Sequence, residues 1–531
     1  MSSSSSKILN PSSAAGGLRG AYPWTPDQGD GTFRNPIIHA DYSDPDVIRH
    51  GDDFFLVASS LNCTPGLPIL HSRDLVNWTI INHAVRNLPH ERFTEVQHGC
   101  GVWAPAIRFH AGKFWIFFPM PDEGIYVTTA TDPAGQWSEP HLVQAGRGLI
   151  DPCPLWDDGK AYLVHAYAHS RTGIKHVLRV RPMAPDGSRL LGEGRIVFNK
   201  PDRHPTLEGP KFLKKDGWYY ILAPAGGVET GWQVALRSRK IYGPYQDKIV
   251  LEQGGTSING PHQGALVDLP NGEWWFVHFQ DAGAYGRIIH LQPVAWQGGW
   301  PLMGVDQDHN GIGEPVLRHA KPALPKSPVA MPQTGDEFDS SRLGLQWQWH
   351  ANFQEKWFSL AARPGWLRLI AMPMPAQAIN LTSVPHRLTQ KFPAAEFTAT
   401  TRLDFSKLAI GEKAGLVITG MDYSLLAVER TASGCQLARA ACQNALGAGR
   451  EKTEATVVCP SNSVWLRVKI VFPGRCDFSH SFDGKKFSPL GKSFTARKSI
   501  WTGSKVGLFC LARAGGARKT GHADFDWFRF E

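Results

Sequence analysis

Apolar and aromatic residues gather in five short bursts along the first 280 residues, each introduced by a turn rich in Gly, Asp and Asn. The bursts span 54–60 (FFLVASS), 114–120 (FWIFFPM), 161–168 (AYLVHAYA), 218–224 (WYYILAP) and 273–279 (EWWFVHF). Runs of this length without a helical period predict strands. A turn glycine precedes each one: Gly51, Gly112, Gly159, Gly217 and Gly272. The repeat of roughly 45–60 residues matches one propeller blade, so five repeats predict a five-bladed β-propeller. Seven to ten residues before the turn glycines stand Asp44, Ala104, Asp151, Glu208 and His262. In a propeller the equivalent ends of the innermost strands converge on one axis. Three acids and a histidine distant in the chain therefore meet in one funnel.

The pattern changes after residue 301. A Pro-rich stretch over 321–332 (KPALPKSPVAMP) has the stiffness of a linker. Beyond it, alternating strands at 397–405, 414–420, 464–472 and 505–512 predict a β-sandwich of jelly-roll or concanavalin-like type. The fold class is thus all-β. A disordered tail is expected over 1–28, a propeller over 29–325, a linker over 326–332 and a sandwich over 333–531. The opening MSSSSSKILNPSSAAGG lacks the apolar core of a signal peptide. Secretion or a periplasmic place follows if a signal was removed, a cytoplasmic one otherwise. No apolar run approaches a membrane span, so no membrane partner is expected.

Composition adds a little. A chain of 531 residues exceeds one ordinary core and suggests two domains. Nineteen Trp suit both propeller cores and sugar-binding surfaces, where indole faces pack on C–H groups. The net charge of +9 resides in the second half: residues 333–531 carry 26 Lys and Arg against 16 Asp and Glu. That balance fits an acidic polymer such as glucuronate-bearing hemicellulose, or simply a solvated basic face. No cationic cluster interleaves with aromatics, so nucleic acid is not expected as a partner. Eight Cys without CxxC spacing form neither a disulfide framework nor a zinc site; Cys63, Cys100 and Cys153 read as packing residues near the site segments. Acids at both ends of the sandwich, Glu337 and Asp339 in DEFD and Asp526 in ADFDWFRF, are candidates for a structural calcium through oxygen ligands. The alternative is exposed acids flanking edge strands. Nothing in the pattern sets an oligomeric state.

Cleavage of a glycosidic bond needs an acid to protonate the leaving oxygen and a second carboxylate as base or nucleophile. Asp44 lies in YSDPDVIR, Asp151 in LIDPCPLW and Glu208 in LEGPKFLK, each at or near a proline that fixes an extended backbone. A third acid beside such a pair raises the pKa of one member by like-charge repulsion, which keeps a Glu protonated near neutral pH. A single Asp-Pro is usually only a turn; three in register with a blade repeat point to a site.

These motifs resemble glycoside hydrolase family 43 over almost the whole chain. The opening NPIIHADYSDPDVIRHGDDFFLVASS is followed in family order by CGVWAPAIRFHAGKFWIFF, LIDPCPLWDDGKAYLVHA, EGPKFLKKDGWYYILAPAGG and PHQGALVDLPNGEWWFVHF. The resemblance implies an inverting enzyme on a five-bladed propeller, with the appended sandwich of the xylosidase and arabinofuranosidase branch. It implies Asp44 as general base, Glu208 as general acid and Asp151 as the residue that tunes and orients Glu208. It also implies Trp103 as an aromatic wall, Arg287 as a contact to the terminal sugar, and His262 on the axis. There relatives place a water-bound cation, the alternative being a structural histidine. Where relatives carry an aromatic after the first burst, this chain has Leu61-Asn62-Cys63-Thr64, leaving Leu61 to cover a sugar face. No cofactor is needed for the chemistry.

The expected activity is exo-hydrolysis of terminal pentose from hemicellulose oligosaccharides or polysaccharides, α-L-arabinofuranosyl ahead of β-D-xylosyl. A separation of roughly 6.5–9.5 Å between the Asp44 and Glu208 carboxyls goes with inversion. Two rivals are a xylosidase only and a non-catalytic glycan-binding propeller, the latter disfavoured because no acid is missing. A retaining β-fructosidase would need Arg before the middle Asp and Cys after the acid Glu, where this chain has Ile150 and Gly209.

Overall fold

The computed structural model describes residues 22–513 and 520–531. The tail expected over 1–28 lies outside the described residues as far as residue 21. Its end is fastened to the propeller instead of hanging free. The Trp24 indole donates to the Pro36 carbonyl at 2.9 Å, and Asp27 accepts from Asn77 at 3.1 Å and Lys321 at 2.6 Å.

Five sheets of four antiparallel strands form the blades, each from consecutive segments of chain. Blade 1 comprises Asp46–His50, Asp53–Val57, Gly66–Ser72 and Thr79–Val85. The innermost strands of blades 2 to 5 are Ala106–His110, Leu149–Asp157, Lys211–Lys215 and His262–Asp268. Each of the five turn glycines has positive φ, between 63° at Gly51 and 88° at Gly272. In blades 2, 3 and 4 the preceding Ala111, Asp158 and Asp216 are also left-handed, at 49°. Two successive positive φ values make the tight turn whose twist matches the strands it joins. The bursts then pack between blades: Phe55 and Val57 of blade 1 join Ile107, Phe114, Ile116 and Phe118 of blade 2. Each such side chain, fully buried, contributes about 1.5–3 kcal/mol.

Ring closure does not use a strand exchanged between the first and last blades. Ile38 and Ile289 exchange backbone hydrogen bonds, and the buried Asn35 amide donates to the carbonyls of Leu291 at 2.9 Å and Val316 at 2.7 Å. Outside the blades, Thr32–Arg34 pairs with Arg318–Ala320 as a short strap. The Pro-rich linker lies along blade 1, where the Gln333 side chain bonds both backbone groups of Ile80.

The second domain is a sandwich of two eight-stranded sheets around one large apolar core. It meets the propeller through paired backbone bonds between Thr64 and Trp349, 2.7 and 3.0 Å long. Among the described residues the one α-helix is the single turn His169–Thr172. The candidate calcium ligands are placed differently from expectation. Glu337 receives both its hydrogen bonds from the Arg529 guanidinium at 2.7 Å, Asp526 pairs with Arg402 at 3.2 Å, and Asp339 is exposed. Among the described residues no group of three His, Cys, Asp or Glu is arranged to hold a metal. The Arg529 fork pairs with both oxygens of Glu337, while Asp526 meets Arg402 through one oxygen.

Candidate active site

The axial ends of the innermost strands follow one register. Beyond any bulge, the first paired residues are Asp46, Ala106, Cys153, Lys211 and Gly264. Two positions earlier stand Asp44, Ala104, Asp151, Gly209 and His262. Glu208 is therefore one residue out of step. Gly209 takes the register position in blade 4, at φ 59°, and its N–H donates to Asp151 at 2.8 Å. A Cβ there would come within 2.8 Å of the Gln263 side chain, so both the conformation and the space favour glycine.

Below this ring lies a charged floor. The fully buried Asp46 accepts from Ile107 N–H and from Arg108, both at 2.7 Å. Arg108 also donates to Cys153 at 2.8 Å, and Lys211 donates to the Pro105 carbonyl at 2.6 Å. Cys153 is thus part of a polar network joining blades 1 to 4 and does more than fill space.

Asp44 and Asp151 both sit in left-handed backbone, φ 56°, an unusual conformation for a side chain that clusters at functional sites. Asp44 accepts three donors: Ser59 at 2.6 Å, Ser43 at 3.1 Å and Arg287 at 2.6 Å. An acceptor-only role suits a carboxylate anion. Arg287 is fixed in turn, its N–H donating to Asp41 at 2.8 Å and its guanidinium lying 4.7 Å from the Phe279 ring centre.

The other two acids have a different environment. Burial raises the Asp151 pKa, the Gly209 N–H offsets part of that, and the Asp44 charge adds to it. Glu208 is pushed up to about 8 by burial and then by the neighbouring Asp151 charge. Its side chain is still 38% exposed, the acid most open to the funnel mouth. His262 is 1% exposed, with Nε2 3.6 Å from Glu208, and burial brings its pKa down to about 3. The ring is neutral, so this contact is not an ion pair. Neither ring nitrogen finds a hydrogen-bond partner among the described residues, which leaves two orphan atoms suited to water. Among the described residues no further His, Cys, Asp or Glu joins His262 in a metal ligand set.

The walls differ from expectation in two places. Trp103 borders the funnel, half-buried, with the Arg171 guanidinium 5.1 Å from its ring. Leu61, expected to cover a sugar face, is only 5% exposed. Its contribution is backbone pairing with Val102 at 2.8 and 3.0 Å, which places the next residue, Trp103. The aromatic partner comes from the sandwich: Trp501 meets Trp103 edge to face, 6.1 Å between ring centres. Trp501 is 48% exposed and left-handed at φ 62°, at the tip of a loop clamped at both ends. Lys498 bonds Glu229 at 2.8 Å and Asp281 at 2.9 Å, and Gly503 N–H donates to Asp41 at 2.9 Å. Sequence reasoning missed Trp501 and Asp41, because nothing local in KSIWTG or HADYS marks a loop that crosses to another domain.

Two families match the chain: "Glycosyl hydrolases family 43" over residues 33–301 and "Beta xylosidase C-terminal Concanavalin A-like domain" over residues 335–531. A protein of Xylanibacter ruminicola named putative beta-xylosidase is 41% identical, over 91% of this chain and 87% of its own. A non-reducing end alpha-L-arabinofuranosidase of Bacteroides ovatus is 30% identical over 94% of each chain. The crystal structure of a GH43 protein from Bacillus licheniformis, 28% identical, superposes with a TM-score of 0.80 over 94% of this chain and 99% of that one.

Proposed function

The chain belongs to glycosyl hydrolase family 43, a family of inverting glycosidases, and from that premise we propose that Asp44, Glu208 and Asp151 remove terminal pentose units from hemicellulose chains. The carrying observation is the contrast between two carboxyls on one axis. Asp44 is surrounded by donors, while Glu208 is raised by burial and by Asp151. Opposed environments of this kind assign base and acid.

In this reading water attacks the anomeric carbon while Asp44 takes its proton. Glu208 gives its proton to the leaving oxygen, on the opposite face of the sugar. Asp151, held by Gly209 N–H, keeps Glu208 protonated by repulsion and turns it toward the bond. Arg287 anchors Asp44 and offers a polar grip to the terminal sugar. Trp103 and Trp501 form the apolar wall, a division of labour common to small-ligand sites. Because Trp501 arrives from the sandwich and leans across the funnel, it favours a closed pocket and exo action over an open cleft.

Xylopyranosyl and arabinofuranosyl units present similar hydroxyls to such a pocket, and the relatives' names include both sugars. The higher-identity relatives, at 41% and 33%, are named for xylosidase activity, which moves β-D-xylose to the front of the order expected from sequence. The test is kcat/KM on matched aryl β-D-xyloside and α-L-arabinofuranoside, with NMR of the first-formed anomer. Inverted product released one sugar at a time is expected. Retained configuration, or fragments of mixed length from xylan, would overturn the assignment.

A further inference from the structure

Cys63 and Lys505 face one another across the domain boundary, remote from any role in the proposed reaction. Lys505 opens the sandwich strand Lys505–Ala512, and its Nζ lies 2.8 Å from the Cys63 Sγ on the propeller. Both residues are buried, 6% and 3% exposed. Among the described residues Cys63 is the one hydrogen-bond partner of the Lys505 amine. A buried lysine normally meets a carboxylate or several carbonyls.

The surroundings are cationic. Lys391 stands directly opposite Lys505 on the neighbouring strand, an arrangement that destabilises two like charges. Burial brings the Lys391 pKa down to about 8, and it packs 5.1 Å from the Tyr42 ring centre. Among the described residues the fully buried Arg387 nearby bonds only to the carbonyls of Val384 and Thr382 and the Thr419 hydroxyl. The Cys63 sulfur thus lies within the field of Lys391 and Arg387 as well as against Lys505. A cleft between the domains is lined by Tyr42, Gln390 and Lys391, the last being the residue paired with Lys505.

We propose that Cys63 and Lys505 are a modification site, at which dioxygen joins them through a covalent N–O–S link between propeller and sandwich. Dioxygen adds to the thiol to give a sulfur-bound hydroperoxide. The lone pair of the Lys505 nitrogen then attacks the oxygen attached to sulfur. An N–O bond forms, the O–O bond breaks, and the outer oxygen leaves as water with the thiol hydrogen and one amine hydrogen. Sulfur and nitrogen together supply the four electrons that dioxygen takes up.

The link has a structural consequence. Lys505 lies just past Gly503 and Trp501, and Cys63 just past Leu61, whose backbone pairs with Val102 beside Trp103. Oxidation therefore pins both halves of the aromatic wall.

The test uses the full wild-type chain, prepared without oxygen and then divided between anaerobic and air-saturated buffer. Peptide mass spectrometry of the aerated sample is expected to find the Cys63 and Lys505 peptides joined. The pair should be heavier than their sum by one oxygen and lighter by two hydrogens, and should separate on treatment with dithiothreitol. The aerated protein should also melt at a higher temperature, a difference absent in Cys63→Ser and Lys505→Arg. The proposal is overturned if Cys63 stays fully alkylatable after aeration, or if it acquires sulfinic acid while the Lys505 peptide remains unmodified.

Discussion

The Asp41 carboxylate joins the candidate site to domain docking: one oxygen accepts the N–H of Arg287 at 2.8 Å, and the other accepts the N–H of Gly503 at 2.9 Å. Arg287 holds Asp44, and Gly503 ends the loop that carries Trp501. Asp41 is 3% exposed, so neither N–H can turn to solvent if this acceptor is lost. The sandwich is in this sense tied to the candidate site.

Asp41→Asn should therefore lower both stability and turnover. One of the two buried N–H groups loses its acceptor and faces an amide donor, a cost of about 1–3 kcal/mol. Urea titration measures the first effect. In steady-state kinetics kcat should fall along with a rise in KM, since Asp44 and the pocket wall are disturbed together. A variant with unchanged kcat would show that Arg287 and Asp44 are held without it.

Asp44→Asn and Glu208→Gln should each reduce kcat by about 10²–10⁴-fold on xylo-oligosaccharides. The two separate on leaving group. An aryl glycoside with a good leaving group needs little acid assistance, so Glu208→Gln should recover much of its rate there. Asp44→Asn should not. Equal losses on both substrates would contradict the assignment of acid and base.

The pH profile follows from the raised acid. In the proposed role Glu208 works protonated, so activity should fall as pH rises through its pKa, raised to about 8 by burial and the Asp151 charge. Asp151→Asn removes a negative neighbour, lowers that pKa and should draw the alkaline limb toward neutrality. The stability effect has the opposite sense to that of a salt-bridged carboxylate. Between the unfolded value of about 4.5 and the folded one, the native state binds the extra proton, so stability declines with pH across that window. Glu208→Gln should be more stable than wild type at pH 8, and a denaturation midpoint below wild type would count against the raised pKa.

Trp501→Ala should weaken the pocket without touching the carboxyls. An aromatic pair is worth about 0.5–1.5 kcal/mol beyond its buried area, which corresponds to about a twofold to twelvefold loss in kcat/KM. The loss should appear mainly in KM, and longer products should emerge from xylan if the wall is what enforces exo action. Wild-type kinetics together with single-sugar products would remove Trp501 from the site.

The blade repeat was readable in the chain because each strand pair is a local hairpin. Its turn glycine, its aromatic burst and its spacing all lie within one repeat and are governed by short-range sterics and period-two burial. Asp44 and Asp151 were legible for the same reason, being set at a fixed distance from those turns. Glu208 was found by the same count, but its one-residue offset from the register was not. That offset appears only once Gly209 is seen donating to Asp151 from another blade. Glu337, Asp339 and Asp526 were candidates either for calcium or for exposed acids flanking edge strands; the fold brings Arg529 to Glu337 and Arg402 to Asp526 from distant positions and leaves Asp339 exposed. Trp501, Asp41 and the Cys63–Lys505 contact belong to the boundary between two domains. A pattern with a period of two or 50 residues carries no information about partners hundreds of residues apart. Sequence alone thus determined the strands and the two β domains, and it picked out the three candidate acids from their distance to the blade turns. Tertiary packing alone decided what surrounds those acids, because Ser59, Arg287 and Gly209 reach them only when the blades close into a ring, and Trp501 reaches Trp103 only when the sandwich docks.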